Sequence, residues 1–147
     1  PMLLFAELAP PEPEELCEDR TLQVGDKLNS NYLTVNVYNA SKKSGQANRV
    51  RINLERNGFL GGYIANNPGE LEPSNVMILT QVKDDPKVQL LSKQFKGKVQ
   101  YAQADFEVRD GLSVVIGPKF KGVNEKAPTT LEVKTPVKVC VPTIDLP

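Results

Sequence analysis

Apolar and polar residues alternate from Leu33 to Asn39, through Leu33-Thr34-Val35-Asn36-Val37-Tyr38-Asn39. Period two in a β-branched, aromatic stretch predicts a strand with Leu33, Val35 and Val37 on its buried face. After the polar loop Ala40-Ser41-Lys42-Lys43-Ser44-Gly45, the period changes. Ala47, Val50 and Leu54 recur at helical spacing, which predicts a helix over 46–57 with Ser44 as its N-cap and Gly58 as its left-handed stop. Leu60 to Ala65 predicts a second strand, weakened by Gly61-Gly62. Asn66-Asn67-Pro68-Gly69 is a turn signal, and Val76 to Thr80 is a short apolar run of the kind found in central strands. Asp85 followed by Pro86 marks a helix start, and Val88, Leu91 and Phe95 continue it until Gly97. Val99 to Ala104 and Leu112 to Ile116 predict two further strands, separated by the turn Arg109-Asp110-Gly111. From Thr129 to Val141 the chain is extended, and Pro128, Pro136 and Pro142 restrict it to an edge strand or a strap over the surface.

The order β-α-β-β-α-β-β predicts an α/β two-layer sandwich, a mixed β-sheet with both helices packed on one face. Its organisation is expected to be a spacer over 1–16, a single domain with an extended strap over 17–141, and a tail over 142–147. Within the spacer, Ala9-Pro10-Pro11-Glu12-Pro13 favours polyproline II, and the acidic residues oppose collapse. Because the chain opens at Pro1, it is expected to be a piece of a longer protein or a processed chain. Met2-Leu3-Leu4-Phe5 is too short for a signal-peptide core, and no apolar run approaches the roughly 18 residues of a membrane span.

Composition narrows the chemistry. Of 147 residues, 18 Lys and Arg balance 18 Asp and Glu, so no broad basic field exists for nucleic acid. There is no His and no Trp. The first absence removes the commonest general base and metal ligand, and two cysteines are too few for a thiolate zinc site. No metal and no cofactor is expected. No serine lies in a G-x-S-x-G elbow, and pairs such as Glu14-Glu15 and Asp84-Asp85 fall in spacer and cap. Asp84, Asp85 and Asp105 read as caps and turn residues. A hydrolase working through paired carboxylates, with Asp105 or Glu107, is a poor fit, and no catalytic residue is expected.

Cys17 and Cys140 flank the periodic region, and no C-x-x-C is present. A Cys17–Cys140 disulfide, and with it an extracytoplasmic location, is favoured over two independent reduced thiols. A polar cradle at the first helix N-terminus is the candidate binding site: Asn39, Ser41, Lys42, Lys43, Ser44, Gly45 and Arg49. Helix N-termini attract anions and the two lysines add to this, so a phosphate- or uronate-bearing polymer suits it. The competing reading is ordinary turn chemistry, with Arg49, Arg51 and Arg56 on a solvated face. With no Trp to stack sugars, Tyr32, Tyr38, Tyr63 and Tyr101 are the available aromatics. Tyr38 is expected to face away from the core; the competing reading is ordinary packing beneath the tail.

The segment from Leu33 to Phe59 reads V-x-V-Y-N-A, a polar loop, S-G-x-A, and L-x-x-x-G-F. This resembles the LytR C-terminal domain family (LytR_C) at Val35, Val37, Asn39, Ala40, Gly45, Ala47, Leu54, Gly58 and Phe59. The apolar strand 76–80, the helix over 88–95 and Val114-Val115-Ile116-Gly117 extend the likeness to about residue 120. The proline and Cys segment, Asn66-Asn67-Pro68 and a Cys in each tail are most similar to the stand-alone branch, the actinobacterial cell-envelope-integrity (Cei or VirR-like) proteins. That resemblance implies a non-catalytic extracytoplasmic module, tethered to the membrane through a preceding helix and supporting envelope integrity. Its partner would be a cell-wall glycopolymer or peptidoglycan, or a wall-assembly protein. The alternative is a docking or regulatory domain for a LytR-CpsA-Psr type wall-polymer ligase.

Overall fold

The computed structural model describes residues 17–142, so the acidic proline spacer and the tail beyond Pro142 lie outside the described residues. The elements run β1 (Cys17–Leu22), β2 (Lys27–Asn29), a 3-10 turn (Ser30–Tyr32), β3 (Thr34–Asn39), α1 (Gln46–Arg56), β4 (Leu60–Asn66) and β5 (Val76–Leu79). They continue with α2 (Pro86–Ser92), β6 (Val99–Ala102), β7 (Leu112–Ile116), β8 (Thr130–Glu132) and β9 (Val137–Pro142). From β3 to β7 this is the expected order of seven elements.

Five strands form one mixed sheet in the order β4-β3-β7-β5-β6. β3 is parallel to both β4 and β7, β5 is antiparallel to β7, and β6 is parallel to β5. Strand alternation sends Val35, Val37, Val76, Ile78, Val114 and Ile116 to one face. There they meet Ala47, Val50 and Leu54 of α1 and Val88, Leu90 and Leu91 of α2 in a single buried cluster. Both helices therefore cover the same face, as the two-layer reading requires. Each Val, Leu or Ile among them contributes roughly 1.5–3 kcal/mol when fully buried.

The other face is covered by loops. Tyr38, Met77 and Val115 are buried there against Leu71, Leu79 and Phe106. Tyr38 does point away from the helices, but Phe106 covers it, with ring centroids 4.9 Å apart, rather than the tail. The C-terminal strap packs on the helix side, where Val133, Val137 and Val139 join the main cluster.

The tail has two partners that alternation did not reveal. β8 pairs with β2 and β9 with β1, each as an antiparallel ribbon. Cys17 and Cys140 are disulfide-bonded across the β1–β9 ribbon, with Cα atoms 5.2 Å apart and a sequence separation of 123.

Helix ends differ from expectation in two places. The N-cap of α1 is Gly45, not Ser44; Gly45 has φ +77° and no side-chain cap bond is made. α2 stops at Ser92, and Phe95 leaves the helix to bridge Val123 while staying buried. The fully buried Gln94 explains much of this corner. Its amide donates to the carbonyls of Leu90 (3.0 Å) and Pro128 (2.8 Å) and accepts from Asn57 Nδ2 (2.8 Å). Asn57 Nδ2 also donates to Asn124 O at 3.0 Å, so one buried network ties the C-terminal ends of both helices to the segment before β8.

The stop after α1 works as expected. Gly58 has φ +96°, its N–H donates to Glu55 O at 2.9 Å, and a Cβ there would collide with Ser30 Oγ. That hydroxyl donates to Asn57 O at 2.7 Å. Gly58→Ala is predicted to cost about 1–2 kcal/mol from the left-handed backbone alone. It should read as a lower urea midpoint at unchanged slope; an unshifted midpoint would show that the turn relaxes freely.

Candidate functional site

Strand β3 ends at Asn39, and the loop that follows must deliver the chain to the start of α1. Asn39 organises that loop. Its Oδ1 accepts from Ser41 N–H (2.9 Å) and Ser41 Oγ (2.6 Å), while its Nδ2 donates to Lys43 O (2.9 Å). Ser41 Oγ in turn accepts from Lys43 N–H at 3.2 Å. Arg49 folds back along the first turn, donating through Nη2 to Ser44 O (3.0 Å) and Gln46 Oε1 (3.1 Å).

The seven residues singled out in the sequence are thus brought together: Asn39, Ser41, Lys42, Lys43, Ser44, Gly45 and Arg49. The polar atoms of Asn39 and Ser41 serve the loop itself. Lys42, Lys43, Ser44, Gly45 and Arg49 are exposed, and Lys42 and Lys43 stand beside the helix N-terminus in no ion pair among the described residues. Electrostatically, the loop can attract an anion.

The opposite end of the sheet, where β3, β4 and β7 begin, carries two hollows. One is an open groove of about 750 Å³ between β4 and residues 107–110, lined by Asn36, Gly62, Tyr63, Glu107, Val108, Arg109 and Asp110. The second is a cleft of about 740 Å³ beneath the β1–β9 ribbon, with Tyr32, Leu33 and Leu112 beside Arg20, Lys87 and Lys138. Asp110 lines both.

Asn36 holds the groove together. It is buried (2 % exposed) on the loop-covered face of β3. Its Oδ1 accepts from Tyr63 N–H on β4 at 2.9 Å. Its Nδ2 faces Asp110 O (3.0 Å), Arg109 O (3.3 Å) and Ser113 Oγ (3.4 Å). The β3–β4 register shifts at this point, between Val35 and Val37. A Cβ on Gly62 would collide with Asn36 Oδ1 and lie 2.8 Å from Val35 O, so Gly62 makes room for the amide, while Gly61 lies against the Arg51 and Glu55 side chains of α1. At the rim, the Arg109 guanidinium lies over the Tyr63 ring, 3.8 Å from its centroid, and Tyr63 contacts Tyr38 edge-on at 6.2 Å.

The sequence offered only pieces of this groove: Tyr63 as an aromatic for stacking sugars and Glu107 as a carboxylate of a poorly fitting hydrolase. A polar residue between Val35 and Val37 reads as the solvent side of a strand, and only the 107–110 segment, about 70 positions later, buries it. Asp85 caps α2, accepting from Lys87 N–H (2.9 Å), whereas Asp105 joins two loops, accepting from Glu70 N–H (2.8 Å). Among the described residues, no three His, Cys, Asp or Glu side chains are grouped to hold a metal, and no helix is long and apolar enough to cross a membrane.

Against known proteins, the model of the LytR_C family, described as LytR cell envelope-related transcriptional attenuator, matches residues 32–120. No curated protein matches the chain. Among solved structures, it is similar to the soluble domain of a conserved hypothetical secreted protein from Mycobacterium marinum. The TM-score is 0.50 and the identity 19 %, over 70 % of this chain and 78 % of that one. At that identity the likeness speaks to the fold. The family model spans everything from the 3-10 turn through the end of β7, and includes both the Lys42-Lys43 loop and the Asn36 groove. This chain belongs to the LytR C-terminal domain family.

Proposed function

We propose that the chain is a non-catalytic, extracytoplasmic module of a membrane-tethered protein that supports cell-envelope integrity, and that it acts by holding a cell-wall polymer. The observation that carries this reading is the match of a cell envelope-related family over 32–120. Two features support it. The Cys17–Cys140 disulfide is a bond that persists in oxidising compartments. The fold also presents hollows with mixed polar and aromatic linings at one end of the sheet and an exposed lysine pair at the other. A holding role asks only for such surfaces. A hydrolytic role asks for a proton donor and acceptor converging on one bond, while Asp85 and Asp105 accept hydrogen bonds from backbone N–H groups.

The test is co-sedimentation of the purified chain with purified peptidoglycan sacculi, beside an unrelated domain of equal size and charge. Enrichment in the pellet that falls off with competing soluble wall fragments is expected. Equal recovery of the two proteins would defeat the proposal.

A further inference from the structure

The groove between β4 and residues 107–110 is prepared for a ligand before one arrives. Asn36 bonds to both of its walls, Tyr63 N–H on one side and the carbonyls of Arg109 and Asp110 on the other. Little backbone ordering is left to oppose binding. Four side chains are offered: Tyr63 (40 % exposed), Glu107, Arg109 and Asp110. Arg109 is steadied by the Tyr63 ring, and Glu107, Arg109 and Asp110 form no ion pair among the described residues.

Their chemistry selects a class of ligand. One guanidinium against two carboxylates leaves the groove slightly acidic, so a polyanion is disfavoured here. Carboxylate and guanidinium groups are planar and offer paired acceptors or paired donors, which match adjacent hydroxyls of a sugar. An exposed tyrosine adds an amphipathic surface for a sugar's C–H groups. The groove is open, which suits a strand lying along it better than an anchor side chain needing a deep pocket. Past Asp110 lies the cleft under the disulfide-closed ribbon, where Thr21, Thr34 and Tyr32 bring further hydroxyls.

We propose that the Tyr63–Arg109 groove binds a neutral glycan strand, which continues past Asp110 into the cleft under the β1–β9 ribbon. This deepens, and rests on, the wall-polymer reading. It also locates the site at the end of the sheet away from Lys42 and Lys43, starting in a groove where two carboxylates face one guanidinium.

Calorimetric titration of the full 147-residue chain distinguishes the two ends. The probes are the hexamer and the dimer of N-acetylglucosamine, and polygalacturonate. The hexamer should bind about tenfold more tightly than the dimer, because only the longer strand reaches both hollows. Tyr63→Ala and Arg109→Ala should each weaken the hexamer by about tenfold or more, with Arg109→Lys intermediate. Lys42→Ala/Lys43→Ala should bind the hexamer as the parent does. Thermal melts matching the parent keep a folding defect from imitating a lost contact.

No hexamer binding by the parent chain overturns the neutral-glycan assignment. So does preference for polygalacturonate that disappears in the double lysine variant. Sacculus binding separates this idea from the one beneath it. If sacculi retain the parent and both groove variants equally, the groove is wrong and wall binding stands. If sacculi do not retain the parent, the wall-polymer reading itself fails.

Discussion

Replacing Cys17 and Cys140 together by serine should lower the stability of the chain by about 2–4 kcal/mol. The bond closes a loop of 123 positions, and its main effect is to restrict the unfolded chain. For a chain of this length the loss corresponds to a melting temperature lower by about 10 °C. The effect should not be uniform. The β1–β9 ribbon lies outside the five-stranded sheet, and its inner end inserts Leu22, Val137 and Val139 into the main cluster. Its outer end, where Cys17 faces Pro142 and Asp19 faces Cys140, has charged and exposed neighbours in Glu18, Asp19 and Arg20. Without the bridge, amide exchange should accelerate first at Glu18 to Arg20 and last in β3 and β7. Reductant added to the parent chain should reproduce the shift and leave the serine variant unaffected. An equal melting temperature in both proteins, or two free thiols in the unreduced, unfolded parent, would refute the structural role given to the bond.

Asn36→Ala is expected to be the other costly change, about 2–3 kcal/mol. The methyl group that remains leaves Tyr63 N–H and the Arg109 and Asp110 carbonyls without the partner they have in the parent. Asn36→Asp separates shape from hydrogen bonding. The carboxylate can still accept from Tyr63 N–H, but it presents negative charge to two carbonyl oxygens and should be at least as destabilising as alanine. The partner position gives a cycle. Gly62→Ala places a methyl against Asn36 Oδ1, so its cost should shrink in the Asn36→Ala background, although Val35 O remains close. Urea midpoints of the four proteins measure the coupling. Additive costs would mean that the glycine clears the Val35 carbonyl and not the amide.

The central elements were legible because their signals are local. Leu33, Val35 and Val37 declare a strand by alternation, Asp85-Pro86 declares a helix start, and Gly58 declares a stop by conformation. The resemblance to LytR_C, drawn on residues 33–120, agrees with the matched span of 32–120. Legibility failed where a remote partner decided. Ser44 is a local exception: it is a good capping residue, yet the nearby Asn39 shapes the loop so that Gly45 takes the cap position. Phe95 continues the helical spacing of Val88 and Leu91, but its pairing with Val123 and the contacts of Gln94 with Pro128 belong to another chain end. β1 and β2 are short, charged and poorly alternating, and exist as strands because β9 and β8 lie alongside them.

The sites divide in the same way. The lysine loop is a contiguous stretch, 39–49, and its assembly could be anticipated from turn and helix-start chemistry. The groove joins positions 36, 62–63 and 107–110, which become neighbours only when β3 is sandwiched between β4 and β7. By itself, the chain of residues determined the order of the central elements, which faces of them are apolar, and the family, since side-chain periodicity and caps act over a few positions. The tertiary structure alone decided the strand partners of the two tails, the burial of Asn36 and the meeting of Tyr63 with Arg109. Those depend on register and packing between segments far apart in the chain, which neighbouring residues do not encode.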